Sequence, residues 1–177
     1  MTKRISLLSI VFFVGAAAAA DAPTGIRGYP CANGTTSYVA KTGLTSCRVS
    51  RETAFGEVRV PEGSTISLRE DKPAFTFLSR DTRIDGYTCR GGGHDWSTAF
   101  YPSGELKVCW LASDQEVQGV PCMRASFFHD VFGGTVGAFF YKNGKLRTCK
   151  VSRSANIQGR DFGRGEHIFL DANGLLR

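Results

Sequence analysis

One six-position phrase keeps returning along this chain: an apolar residue, any residue, a glycine, two more residues and a cysteine. It reads Ile26-Arg27-Gly28-Tyr29-Pro30-Cys31, then Ile84-Asp85-Gly86-Tyr87-Thr88-Cys89, then Val117-Gln118-Gly119-Val120-Pro121-Cys122. Degenerate copies at Ala54-Phe55-Gly56 and Ile157-Gln158-Gly159-Arg160-Asp161-Phe162 complete the series. Recurrence at a period of roughly 20 to 50 residues marks an array in which each repeat is one supersecondary unit that needs its neighbours to bury its apolar side. The units fall at residues 26–53, 54–83, 84–116, 117–156 and 157–177 of a single domain, 21–177.

Inside each unit the phrase leads to a glycine in a loop (Gly34, Gly63, Gly93, Gly134, Gly165) and then to a strand-like run at 36–39, 65–68, 98–101, 136–141 and 167–170. A turn follows, clearest at Pro102-Ser103-Gly104, Asn143-Gly144 and Asn173-Gly174, where Asn-Gly suits the positive φ angles of a tight hairpin. Second strands return at 106–111 and 146–151 with alternating apolar residues. Each unit therefore reads as a β-hairpin plus a polar linker, and unit two, with Lys72-Pro73 at its turn, is the most degenerate. The expected fold is all-β: tandem antiparallel hairpins forming an elongated or curved sheet. A lone hairpin is marginal in water, so the units must pair.

Residues 1–20 read as a secretory signal peptide, with Lys3 and Arg4 ahead of an apolar stretch at 5–14 and small residues at 16–20. Cleavage is expected after Ala20, with Ala22 as the alternative, and the absence of cysteine there argues against a lipid-anchored lipoprotein. The apolar run is too short for a membrane span. The expectation is a secreted chain, periplasmic or extracellular. Without Lys3 and Arg4 the formal charge falls from +6 to +4, 20 basic against 16 acidic residues. The basic residues are scattered among acids rather than clustered, which argues against a nucleic-acid partner.

The chain has 6 cysteines, all after residue 30, an even number that suits an oxidising compartment. Cys31, Cys89 and Cys122 stand three residues after the phrase glycine; Cys47, Cys109 and Cys149 precede the next glycine by nine or ten. Unit two lacks both, with Arg59 at the first position and Thr76 or Phe77 near the second. Joint loss is expected if partners lie within one unit, which pairs Cys31 with Cys47, Cys89 with Cys109 and Cys122 with Cys149.

The segments Phe140-Tyr141-Lys142-Asn143-Gly144-Lys145-Leu146 and Phe100-Tyr101-Pro102-Ser103-Gly104-Glu105-Leu106 resemble the bacterial MORN-type repeat. There an aromatic residue, an Asn-Gly-Lys-Leu turn and a downstream glycine recur as stacked hairpins. The resemblance covers most of the chain after residue 20 and is specific in units three to five. It departs in long loops such as 123–132 and in cysteines at strand positions that are usually charged. It implies a scaffold or a membrane- or protein-contact module without shared catalytic residues.

Catalytic signatures are absent: no Gly-x-Ser-x-Gly, no His-Glu-x-x-His, no phosphate-binding Gly-x-x-x-x-Gly-Lys-Ser/Thr. Cys89-Arg90-Gly91-Gly92-Gly93 reads as a flexible loop, since no helix follows to hold phosphate. The pairs His94-Asp95, His129-Asp130 and Glu166-His167 are the sharpest chemical candidates, for zinc or acid–base work, weighed against ordinary loop histidines. Binding candidates are aromatic: Phe127-Phe128 in a long loop, Trp96, Tyr101 and Tyr141, any of which could stack on a partner instead of packing in the core. No cofactor is implied. The favoured expectation is a non-enzymatic exported protein with a binding or scaffold role, contacting a protein or a cell-envelope surface. The alternatives are a secreted inhibitor acting through loop 122–134 and a small metal-dependent hydrolase.

Overall fold

The computed structural model describes residue 26 and residues 28–93, 95–126 and 136–177. These residues form short strands and no helix. The first eight are β1 (Ser37–Val39), β2 (Leu44–Arg48), β3 (Thr53–Phe55), β4 (Val58–Val60), β5 (Thr65–Arg69), β6 (Lys72–Phe77), β7 (Thr82–Ile84) and β8 (Tyr87–Cys89). Next come β9 (Ser97–Phe100), β10 (Leu106–Cys109), β11 (Gln115–Val117), β12 (Val120–Cys122) and β13 (Ala138–Phe140). The last are β14 (Leu146–Lys150), β15 (Ala155–Ile157), β16 (Arg160–Phe162) and β17 (His167–Phe169). The fold is all-β, as the periodicity predicts.

A 9-stranded antiparallel sheet runs β1-β2-β5-β6-β9-β10-β13-β14-β17. Chain order is kept throughout, so the sheet is a meander interrupted after every second strand. The interruptions are four 2-stranded hairpins, β3-β4, β7-β8, β11-β12 and β15-β16. Phe55, Val60, Ile84, Val117 and Ile157 from these hairpins join Ile66, Leu68, Phe100, Leu106 and Leu146 of the sheet in one buried cluster. The hairpins are thus a second layer on one face of the sheet. Edge-to-face rings run through the interface, Tyr29 on Phe55 at 5.8 Å and Phe55 on Phe100 at 5.5 Å, while Tyr87 stacks on Phe140 at 5.3 Å.

This corrects the expected polar linkers. The returning phrase is itself a turn: Ile84 pairs with Tyr87 across Asp85-Gly86, Val117 with Val120 across Gln118-Gly119, and Ile157 with Arg160 across Gln158-Gly159. Both central residues have positive φ, for example 53° at Gln118 and 83° at Gly119, the type I′ geometry of a two-residue hairpin. Strands of three residues carry too little alternation to stand out, and Ser113-Asp114-Gln115-Glu116 looks like a loop.

Asn143-Gly144, by contrast, is not a type I′ turn. Gly144 alone has positive φ, 78°, its amide donates to the Tyr141 carbonyl at 2.9 Å, and Tyr141 N donates to the Lys145 carbonyl at 2.8 Å. This is a longer turn with a glycine bulge, which accounts for the register shift between Phe139 and Phe140. Unit two turns at Glu70-Asp71, φ 51° and 60°, not at Lys72-Pro73, which opens β6.

Disulfides join Cys31–Cys47, Cys89–Cys109 and Cys122–Cys149, with sequence separations of 16, 20 and 27. Cys89 and Cys122 tie second-layer hairpins to β10 and β14, Cys31 ties the segment before β1 to β2, and each bond contributes about 3 kcal/mol by shrinking the unfolded ensemble. The pairing is the expected one, but the frame in unit two is not. Gly56 takes the first turn position, with Phe55 paired to Val58, whereas Gly86 takes the second. The counterpart of Cys89 is therefore Val60, fully buried, rather than Arg59. Its partner position is Thr76, two residues before buried Leu78 as Cys109 is before Leu111.

Candidate binding face

The second layer covers one face of the large sheet. The opposite face is built by the residues that alternate with the core: in β9, Thr98 and Phe100 are buried while Ser97 and Ala99 are half-buried on the other side. Register carries one row of such residues from strand to strand. Ser67, Phe75, Ala99, Val108, Phe139, Thr148 and Phe169 are successive partners from β5 to β17. The row is largely apolar. Phe75 and Phe77 meet edge to face at 5.6 Å, and Phe169 is 55% exposed. Toward β2 the row turns polar, with the Ser46 and Ser67 hydroxyls 2.7 Å apart. Gly137 keeps space beside the aromatic part: a Cβ there would stand 3.1 Å from the Phe139 ring and 3.6 Å from Trp110.

The face has a distinct charge character. None of the nine strands contains Asp or Glu, while Arg48, Arg69, Lys72, Lys107, Arg147 and Lys150 all lie in them. The acids stand in turns, in loops and in the second layer, as with Glu116 in β11 and Asp161 in β16. Lys107 and Arg147 occupy the register shifts of β10 and β14 and lie over the rings of Tyr101, 5.6 Å, and Tyr141, 5.9 Å.

The candidate residues divide. Tyr101 and Tyr141 are half-buried and act between units: Tyr101 Oη donates to the Phe140 carbonyl and Tyr141 Oη to the Leu170 carbonyl, both at 2.9 Å. They couple each hairpin to the next, with rings on the open-face side under their cations. Trp96 is buried, 5.4 Å from Trp110, with the Arg90 guanidinium 5.2 Å from its ring and donating to the Ala125 carbonyl. Phe127, Phe128, His94, His129 and Asp130 lie outside the described residues. Asp95 is exposed. Glu166 accepts the Gly163 amide at 2.9 Å, and His167 stacks on Phe169 at 5.9 Å on the open face. Burial, then the Lys150 charge, lowers the His167 pKa. Among the described residues no group of three or more His, Cys, Asp or Glu is placed to hold a metal ion.

The open face was missed in the sequence because its residues share no position in the repeat phrase. Only the register brings Phe75, Val108, Phe139 and Phe169 into one row.

One margin of the face is hollowed. A depression of about 400 Å³ is lined by Arg69, Glu70, Lys72, Phe75, Pro102 and Lys107 among others. A second, about 410 Å³, shares Lys72 and Pro102 with it and adds Ser103 and Lys142. Comparison with protein-family models, with curated proteins and with solved structures finds no match to this chain.

Proposed function

We propose that this is an exported, non-enzymatic, MORN-like repeat protein that acts as a binding or scaffold module at the cell envelope through the open face of its large sheet. One observation carries the reading: the second layer lies on one face, and the other holds a largely apolar row, Phe75, Ala99, Val108, Phe139 and, past Thr148, Phe169. A stable two-layer protein has no packing reason to line its solvent face this way, and exposed apolar patches mark contact surfaces. Three disulfides fit an oxidising extracellular or periplasmic setting.

The test is affinity capture from envelope extract with the oxidised protein as bait. Phe75→Ser with Phe169→Ser would alter the open face, and Arg83→Ser the exposed side of β7. Loss of captured material with the first pair and retention with the second is expected. Capture that survives the open-face pair but not Arg83→Ser would overturn the reading. Thermal melts of each variant guard against simple unfolding.

A further inference from the structure

The hollowed margin narrows the partner. Arg69 and Lys72 are direct register partners across the β5–β6 hairpin, so two like charges face each other on the open side. Such a pair opposes sheet formation. Lys107 joins them around the same depression, whose wall is Phe75, Ala99 and Pro102. Lys142 extends the cationic rim into the adjoining one. Arg69, Lys72, Lys107 and Lys142 are all exposed. The acids nearby belong to turns: Glu70, which also lines the depression, and Asp71 stand between Arg69 and Lys72, and Glu105 is engaged by the Ser103 hydroxyl at 2.5 Å, so Lys107 and Lys142 give the margin its cationic excess.

We infer that this margin and the row behind it bind an anionic polysaccharide laid across the strands, its carboxylates on Arg69, Lys72 and Lys107 and its sugar faces against Phe75 and the apolar row. This rests on the open face being the contact surface. An anion between Arg69 and Lys72 lowers the repulsion of their facing side chains. The face is long rather than deep: nine strands at about 4.8 Å spacing extend roughly 38 Å, the shape of a site for a linear chain. Phe75 beside the cations is half-buried, so part of its ring is open to stacking against a sugar face. A bilayer would ask for projecting apolar anchors among the cations. Among the described residues the exposed large apolar side chains are Tyr38, Val39, Phe169 and Leu175, in the first hairpin and at the C-terminal end of the sheet.

The experiment measures binding of the oxidised protein to polygalacturonate and to its fully methyl-esterified form, which has the same backbone without the charge. Polygalacturonate is expected to bind, more weakly as salt rises, and the ester to bind poorly. Arg69→Gln, Lys72→Gln and Lys107→Gln together are expected to weaken binding by about tenfold or more, while Arg83→Gln with Arg160→Gln on the second layer changes it less than about twofold. Equal binding of the ester, no binding at low salt, or indifference to the three open-face substitutions would overturn the inference. So would tighter, equally cation-dependent binding to phosphatidylglycerol vesicles, which would assign the face to a membrane and leave the wider proposal standing. Failure of that proposal looks different: envelope capture would then be unaffected by any open-face substitution.

Discussion

The carboxamide of Gln118 closes on the turn that contains Gly144: its Nε2 donates to the Gly144 carbonyl at 2.8 Å, and its Oε1 accepts the Leu146 amide at 3.1 Å. Gln158 repeats the arrangement one unit later, with the Gly174 carbonyl at 2.7 Å and the Leu176 amide at 2.9 Å. Both glutamines sit at positive φ, which a non-glycine residue adopts at a cost. The glutamine backbone turns the small hairpin while its side chain satisfies the next large one. This explains why glutamine, rather than the usual Asn or Asp, opens these two turns.

Gln118→Ala should therefore lose both hydrogen bonds and keep the strained φ, costing about 1–2 kcal/mol. Gln118→Gly loses the same bonds but relieves the backbone, so it should be the milder change. Urea unfolding of the oxidised proteins gives the order. If alanine and glycine cost the same, the positive φ carries no measurable strain, and if neither costs anything, the side-chain clamp is not what holds this turn.

The missing disulfide of unit two is a second testable point. Val60 and Thr76 occupy the positions that Cys89 and Cys109 fill in unit three, and both are fully buried. Val60→Cys with Thr76→Cys should oxidise spontaneously to a fourth crosslink. The loop is 16 residues, the same separation as Cys31 and Cys47, so the gain should be about 2–3 kcal/mol less any strain. Non-reducing peptide mapping identifies the bond, and denaturant unfolding measures its effect. Two free thiols at these sites would refute the register assigned to unit two.

How far the sequence discloses this fold follows from the lengths of its signals. Strands of the large sheet such as β14, Leu146–Lys150, are long enough to show alternation, and Cys149 within it marks the core side. The second-layer hairpins are hidden although Asp85-Gly86 between Ile84 and Tyr87 is a strong turn signal, because strands of three residues such as β7 and β8 show almost no alternation. The cysteine pairing was legible through joint absence in unit two, although a one-residue offset of Gly56 put Arg59 where Val60 belongs. The open face was not legible, since it depends on partnering across nine strands.

Thr98 lies in β9 opposite Thr76, fully buried, and its hydroxyl has no hydrogen-bond partner among the described residues. Thr76 differs: its Oγ1 donates to the Thr65 carbonyl at 3.0 Å. Valine has nearly the same shape as threonine, so Thr98→Val should stabilise the protein by about 1 kcal/mol, while Thr76→Val should be neutral or destabilising. The two substitutions sit side by side in one register pair, which makes the sign of the difference the informative quantity. Equal effects in denaturant midpoints would mean that the Thr98 hydroxyl is satisfied in solution.

His167 supplies the pH-dependent expectation. Its pKa is lowered from 6.5, first by burial and then by the Lys150 charge. The folded state therefore holds the neutral ring more strongly than the unfolded chain does. Between the lowered value and 6.5 the unfolded chain binds more protons, so stability rises with pH across that window. The contribution is fully present above the unfolded pKa and is lost as pH falls through the folded one. It should be small, because much of the ring faces solvent, where charge effects are screened. His167→Gln removes this titration while leaving the other histidines in place. The difference in urea midpoint between parent and variant should therefore shift against the parent on going from neutral to mildly acidic pH. A difference that stays flat, or shifts toward the parent, would show that His167 carries no depressed pKa in the folded protein.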